Sequence, residues 1–283
     1  MPLEAHTVFA GYTILRHLGS GPLGDVYVAT NSDKSRVVAL KIPFTTASAD
    51  SAFCMRFRRE AAYALRIWHP NLVALHNIGE FDDHVWAAMD YVDGTTAADE
   101  IARHPDGMPG YGVCTIVGAV GDALDYLHQC GLIHRSIKPA NIFLTRPDID
   151  DRQIRLADFT TGRPVRDDAE LTATSRGLGT LVYAAPEELF GDHEVDGRAG
   201  RYSLAATAFH LLTGTPPFQD DDLTAHVARL VNSPPPVPGD RRPGLAHLDP
   251  VFARALAKDP DERFNRCRDF TVALAHAVGL SRY

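Results

Sequence analysis

Gly19-Ser20-Gly21-Pro22-Leu23-Gly24-Asp25-Val26, followed by Val38-Ala39-Leu40-Lys41, is the stretch on which the reading of this chain turns. The first segment spells G-x-G-x-x-G-x-V between two β-rich runs. Glycines let a backbone approach a phosphate closely and adopt φ values that other residues avoid. A tight hairpin turn would use the same residues. The strand-to-helix setting of a dinucleotide site is missing, because the next segment is another strand. Lys41 ends a buried strand, where an unpaired ammonium is costly. Glu60, in Phe57-Arg58-Arg59-Glu60-Ala61 on the following amphipathic segment, is a partner that would hold Lys41 within reach of phosphate oxygens. A lysine snorkelling to the surface is the competing reading.

Working outward, Tyr12-Thr13-Ile14-Leu15, Asp25-Val26-Tyr27-Val28 and Val37 to Ile42 read as strands. Ala52 to Trp68 turns helical, with Phe53, Phe57, Ala61, Ala64, Leu65 and Trp68 at three- and four-residue steps. Two more strand-like runs, Leu72 to Ile78 and His84 to Tyr91, precede the punctuation at Asp93-Gly94. Beyond it, long helical patterns dominate: Tyr111 to Gln129, Tyr202 to Thr213, Leu223 to Val231, Phe252 to Ala257 and Phe270 to Val278. Gly214 stands where a helix C-terminal cap is wanted, and Pro250 at a first-turn position. A small sheet-rich lobe therefore precedes a larger helical one, joined near residues 90–94.

The chain has 283 residues, of which 45% are hydrophobic and 23% charged, as in an ordinary globular protein. Its net charge of −8 disfavours nonspecific binding to nucleic acid or an anionic membrane. Cys54, Cys114, Cys130 and Cys267 form no C-x-x-C pair, so the reading is four buried thiols rather than a zinc site. No apolar run is long enough to span a membrane, and the N-terminal residues lack a signal peptide's blocks. The expected location is cytoplasmic, or membrane-tethered if the natural chain continues past Tyr283.

With the glycine loop and Lys41 in place, the remaining motifs arrive in the order of the protein kinases. Phe9-Ala10-Gly11-Tyr12, His69-Pro70-Asn71 and Tyr91-Val92-Asp93-Gly94 resemble the actinobacterial, eukaryotic-like serine/threonine kinases in particular. The resemblance implies an α+β, bilobal kinase-like fold over residues 9–278, with a β-rich N-lobe (9–91) and a helical C-lobe (92–278). It also implies ATP and Mg²⁺ as cofactors. Gly19, Gly21, Gly24, Val26, Ala39, Lys41 and Glu60 would serve the nucleotide, with Met89 as gatekeeper and Tyr91 and Val92 in the adenine-facing hinge.

His134-Arg135-Ser136-Ile137-Lys138-Pro139-Ala140-Asn141 matches the family's catalytic loop at every diagnostic place but one. In the family an aspartate stands two residues after the histidine and accepts the substrate hydroxyl's proton. Ser136 stands there instead. A hydroxyl is a very poor base near neutral pH, and losing general-base help costs roughly 10²–10⁴ in rate, about 3–5 kcal/mol of barrier. By resemblance Lys138 would contact the transferring phosphate, while Asn141 and Asp158, the latter in Leu156-Ala157-Asp158-Phe159-Thr160, would ligate magnesium. Thr160 replaces a glycine of the pattern. Gly200 replaces an aspartate that braces the catalytic-loop backbone.

Between Asp158 and Ala185-Pro186-Glu187 lies a polar stretch with Thr172, Thr174 and Ser175, where such kinases carry activating phosphates; a plain solvated loop is the competing reading. Arg263 is expected to pair with Glu187. The Ala185-Pro186-Glu187 segment argues against a small-molecule phosphotransferase of related fold. The preferred expectation is an ATP-holding pseudokinase acting through an unidentified signalling protein. A slow serine/threonine kinase is the alternative.

Overall fold

The computed structural model describes residues 2–21, 24–33, 35–44, 51–145, 153–158, 163–164, 178–189, 195–220 and 222–280. Within these, the side chains of residues 51–53, 56, 60, 163–164, 178 and 180 lie outside the description. The chain divides into two compact units. The first runs to Asp93 and also takes in Asp158; the second begins at Gly94 and includes Ala157. The expected join near residues 90–94 falls at that boundary.

The first unit is built on a six-stranded antiparallel sheet. Its strands are β1 (Val8–Phe9), β2 (Tyr12–Gly21), β3 (Gly24–Thr30), β4 (Val37–Pro43), β5 (Leu75–Phe81) and β6 (His84–Asp90), in the order β1-β2-β3-β4-β6-β5. The two-residue period of a strand sorts their side chains. Val38, Leu40 and Ile42 pack with Tyr27, Ala29 and Trp86 in a core on one face. Ala39 and Lys41 therefore point to the other face. There they stand opposite Met89 and Ala87 of β6, and Ala87 packs against Phe57 of helix α1 (Ser51–Ala64). The strand expected from Leu72 begins instead at Leu75. The α1 helix stops at Ala64, short of Trp68, which is 71% exposed.

The second unit opens with β7 (Gly94–Thr96), α2 (Ala97–Arg103) and α3 (Gly110–Gln129). The short strands β8 (Leu132–Ile133), β9 (Ile142–Thr145), β10 (Ile154–Leu156) and β11 (Arg163–Pro164) follow. The helices α4 (Leu178–Leu181), α5 (Gly197–Thr213), α6 (Leu223–Asn232), α7 (Pro238–Arg241), α8 (Asp249–Ala255) and α9 (Cys267–Ala277) complete it. The α5 helix is buried around nearly its whole circumference, which marks it as the central element of this unit. It ends at Gly214, with φ of 76° and its N–H bonded to His210 O. A Cβ there would lie 1.8 Å from Pro105 O, so both conformation and space demand glycine. Among the described residues no helix is long and apolar enough to cross a membrane.

Candidate functional site

In the first unit the glycine stretch joins β2 to β3, with Gly21 standing opposite Gly24 across the pair. A Cβ on Gly19 would meet open space and one on Gly21 only an ordinary contact with Gly24 O at 3.8 Å, whereas a Cβ on Gly24 would come within 2.2 Å of Ile42 O. Gly24 is thus required by the close packing of β3 on β4, and the other two leave their backbone uncovered. Asp25, next along β3, accepts from Ser20 Oγ at 2.5 Å and faces His17 and Tyr27. Burial would raise its carboxyl, but these hydrogen bonds outweigh it and hold the pKa low. Val26 pairs with Lys41 and Ala39 with Met89 across the sheet, so the register sets these candidate nucleotide residues side by side.

Lys41 Nζ lies 2.5 Å from Asp158 Oδ1, with side chains 16% and 28% exposed. The partner expected for Lys41 was Glu60. That residue lies on α1, but its side chain is outside the described residues, and the contact that is described is with Asp158. Met89 lines a cavity of about 20 Å³ with Leu72, Leu75, Ala64 and Asp158, room for about one water molecule. Tyr91 Oη accepts from Arg16 at 2.8 Å. Asp90 faces His76 Nε2 at 2.7 Å, which steadies the strand end leading to Tyr91 and Val92.

In the second unit His134 and Ser136 are buried, and Arg135 between them has φ of 58°. Asp158 has φ of 69°. Left-handed backbone at a residue other than glycine costs about 1–3 kcal/mol and persists where surroundings enforce it, often at functional positions. Asn141 Nδ2 donates to both Ser136 O and Ser136 Oγ, at 2.8 and 2.9 Å. That commitment leaves Oδ1, a hard oxygen, as the amide's remaining donor atom toward a cation. Asn141 O accepts from Ala157 N at 2.8 Å, and Asp158 is the next residue along the chain. The Asp158 carboxylate and the Asn141 amide oxygen are each, taken singly, of the hard-oxygen type that magnesium prefers. Lys138 precedes the turn Pro139–Asn141 in an extended conformation.

The brace position has been refilled in an unforeseen way. His128, near the end of α3, lies against Gly197 and Gly200: a Cβ on Gly200 would be 3.1 Å from His128 Nε2, and one on Gly197 2.9 Å from the ring. That Nε2 is buried without a hydrogen-bond partner. Burial, helped by the Arg201 charge, lowers the His128 pKa to about 4, so the ring is neutral filler near pH 7 and does not replace a carboxylate. Thr160, Thr172, Thr174 and Ser175 lie outside the described residues.

Arg263 meets its expected partner. It is bidentate to Glu187 at 2.7 and 2.9 Å, and its other N–H groups go to the carbonyls of Ala257, Arg198 and Lys258. All five guanidinium donors are used. The thiol expectation needs correction: Cys114 and Cys267 are buried, but Cys54 is half-buried and Cys130 is exposed. Cys130 follows the last turn of α3, where chain ends of helices meet solvent. Cysteine spacing also could not show that Asp125, His128 and Cys267 come together, with ligand-type atoms within 4.8 Å. There Asp125 caps α9, accepting from Cys267 N and Arg268 N at 2.9 and 3.0 Å, and the Arg201 charge acts on both His128 and Cys267. A helix cap beside a fixed cation accounts for the cluster.

A sheet-built unit with a glycine-rich strand pair and a lysine–aspartate contact, followed by a helical unit with an asparagine-braced loop, makes up a protein-kinase-like fold. The chain belongs to the protein kinase domain family, whose model matches residues 12–266. It is 51% identical over 280 residues to the serine/threonine-protein kinase PknF of Mycobacterium tuberculosis, covering 99% of this chain and 59% of that protein. It is 46% identical to PknJ of the same organism over 279 residues, covering 98% of this chain and 47% of that protein. The chain thus spans only about half the length of these relatives. The crystal structure of a double mutant of the Mycobacterium tuberculosis PknI kinase domain superposes with a TM-score of 0.81 at 40% identity, covering 99% of this chain and all of that one. The bilobal kinase fold and the bacterial eukaryotic-like serine/threonine kinase family both agree with the motifs read from the sequence.

Proposed function

We propose that this domain binds Mg²⁺-ATP and transfers the γ-phosphate to protein serine or threonine, at a rate held down by Ser136. The observation that carries the reading is the pair of bonds from Asn141 Nδ2 to Ser136. They keep the loop in place around a side chain that cannot take a proton. When bound, ATP supplies the phosphoryl group and Mg²⁺ neutralises its charge. Lys41, with Asp158 as its counter-ion, supplies a cation that phosphate oxygens would recruit, Asp158 and Asn141 supply hard oxygens, and Lys138 supplies positive charge toward the transferred group. Phosphoryl transfer depends chiefly on positioning and charge neutralisation, so a site missing only its base retains measurable turnover. Relatives bearing the serine/threonine kinase name at about half identity support an enzyme over an inert fold.

A second reading, an ATP-binding pseudokinase that signals through a partner protein, is favoured by the two changes at Ser136 and Gly200 taken together. Transfer of labelled phosphate to a mixed threonine and serine peptide pool separates the two. Slow incorporation that Lys41→Met abolishes and Ser136→Asp raises supports the kinase. Incorporation indistinguishable from Lys41→Met supports the pseudokinase. A thermal-shift titration with no stabilisation by ATP, with or without Mg²⁺, overturns both.

A further inference from the structure

The register of β2 against β3 is broken just before the glycine stretch. His17 and Gly19 stand opposite Tyr27 and Val26, which are neighbours on β3, so Leu18 is an extra residue in β2. Side chains alternate along a strand, and an inserted residue resets that alternation. His17 and Ser20 therefore share one face, His17 opposite Tyr27 and Ser20 opposite Asp25. On β4 their neighbours are Leu40, opposite Tyr27, and Ile42, opposite Asp25. This is the core face of the sheet, turned away from Ala39 and Lys41.

A continuous line of hydrogen bonds runs across that face. Ser20 Oγ donates to Asp25 Oδ1 at 2.5 Å, and Tyr27 Oη donates to Asp25 Oδ2 at 3.2 Å. The same Tyr27 Oη accepts from the backbone N–H of Leu3 at 3.0 Å; a hydroxyl has one proton to give and lone pairs to receive. His17 Nε2 stands 3.2 Å from Asp25 Oδ1, and its ring lies 5.1 Å from that of Tyr27. The line thus joins Leu3, which lies ahead of the residues matched by the family model, to the middle of the glycine stretch. Its two ends differ in kind. Tyr27 is buried and the Asp25 side chain is 15% exposed, whereas Ser20 is exposed between two glycines. A Cβ on Gly19 would touch nothing, so Ser20 is the point at which side-chain chemistry can hold this backbone. Bonds to a carboxylate are the stronger kind, and glycine backbone is costly to order.

We propose that Asp25 is a positioning residue for nucleotide binding: anchored by Tyr27 and the Leu3 segment, it grips Ser20 from the core face and fixes the glycine backbone where its N–H groups meet phosphate. Asp25 does this without touching the ligand. Ordering the backbone beforehand removes part of what binding would otherwise have to supply. The proposal rests on the nucleotide reading above.

The test compares Mg²⁺-ATP with adenosine on the whole chain by isothermal titration calorimetry, because adenosine lacks the phosphates that the glycine stretch serves. Ser20→Ala and Asp25→Asn should each weaken Mg²⁺-ATP about three- to tenfold, part of the worth of one hydrogen bond to a charged group, and leave adenosine unchanged. Ser20→Thr, which keeps the hydroxyl, should bind as the unmodified chain does. The double variant should lose less than the two single losses combined, since both act on one bond. Tyr27→Phe, which keeps the ring in the core, should give a smaller loss confined to Mg²⁺-ATP. Because Ser20 is exposed, Ser20→Ala decides the matter even where Asp25→Asn melts early. Unchanged Mg²⁺-ATP affinity in Ser20→Ala overturns the grip. So do equal losses for Mg²⁺-ATP and adenosine, or fully additive losses in the double variant. An unmodified chain that binds adenosine but not Mg²⁺-ATP overturns the grip alone, and one that binds neither overturns the nucleotide reading with it.

Discussion

Two ion pairs in this molecule hold opposite kinds of position. Arg263 is sealed within the second unit, every guanidinium N–H engaged by Glu187 or a carbonyl, and its cation lies 4.9 Å from the Tyr202 ring centre. Lys41 and Asp158 in the first unit share a single described contact, both remain partly open, and Asp158 sits in left-handed backbone. The closed pair has nothing left to offer a ligand and serves the fold. The open pair keeps charge in reserve, as a site must that exchanges its counter-ion for phosphate and metal. Ser136 and Gly200 fall between these extremes: the loop at Ser136 is held by Asn141, but neither position carries the carboxylate of the family's pattern.

Removing the closed pair should have the largest effect on stability. Arg263→Ala leaves Glu187 buried and unpaired and should cost about 3–5 kcal/mol, read as a fall in the urea midpoint. By contrast Lys41→Met should leave the unliganded midpoint within about 1 kcal/mol and eliminate the shift produced by Mg²⁺-ATP. A large loss from Lys41→Met, or none from Arg263→Ala, would break the comparison.

Ser136→Asp should raise the transfer rate by roughly 10²–10⁴. The donor it needs is already aimed, since Asn141 Nδ2 points at this side chain. A gain below tenfold would place part of the defect at the Gly200 brace, and Ser136→Asp combined with Gly200→Asp would then exceed the single change.

Acid should sharpen the contrast further. His128 and His210 titrate near pH 4 when folded, against about 6.5 unfolded. The unfolded chain therefore binds more protons between those values, and stability rises with pH across that window. Lowering pH from 6.5 to 4 should lose on the order of 1–3 kcal/mol for His128, whose ring is the more deeply buried of the two. His128→Gln should flatten the melting temperature over that range; an unchanged profile would show that its burial is relieved on protonation.

The last expected effect concerns Gly214. Its φ of 76° alone predicts that Gly214→Ala costs about 1–3 kcal/mol, and the close approach to Pro105 O adds to that, measured as a shift in urea midpoint with ATP binding retained.

Much of this was legible in the chain because kinase chemistry is written on continuous stretches. The β2–β3 glycine stretch, the Lys41 strand and the His134–Asn141 loop each place their functional groups by local geometry, so their spacing can be read directly. The change from strand to helix periods likewise placed the join near residues 90–94, and residue type placed Gly214 at a helix C-terminus and Pro250 in a first turn. The boundaries at Leu75 and Ala64 drifted because apolar residues such as Leu72 and Trp68 belong to the segment connecting the helix to β5, a matter of packing and not of period.

Other features depend on residues far apart in sequence. The refilling of the Gly200 position by His128, the capping of α9 by Asp125, and the stacking of Tyr183 on His210 each join separate elements through side-chain shape, and no motif encodes them. Even the exposure of Cys130, beside buried Cys114 on the same helix, follows from where α3 ends in the packed unit. The sequence by itself determined the family, the order of the motifs and the absent base, since covalent neighbours carry these. Only the tertiary structure decided which charges are sealed and which stay open, because burial is a property of the packed whole and not of any one stretch.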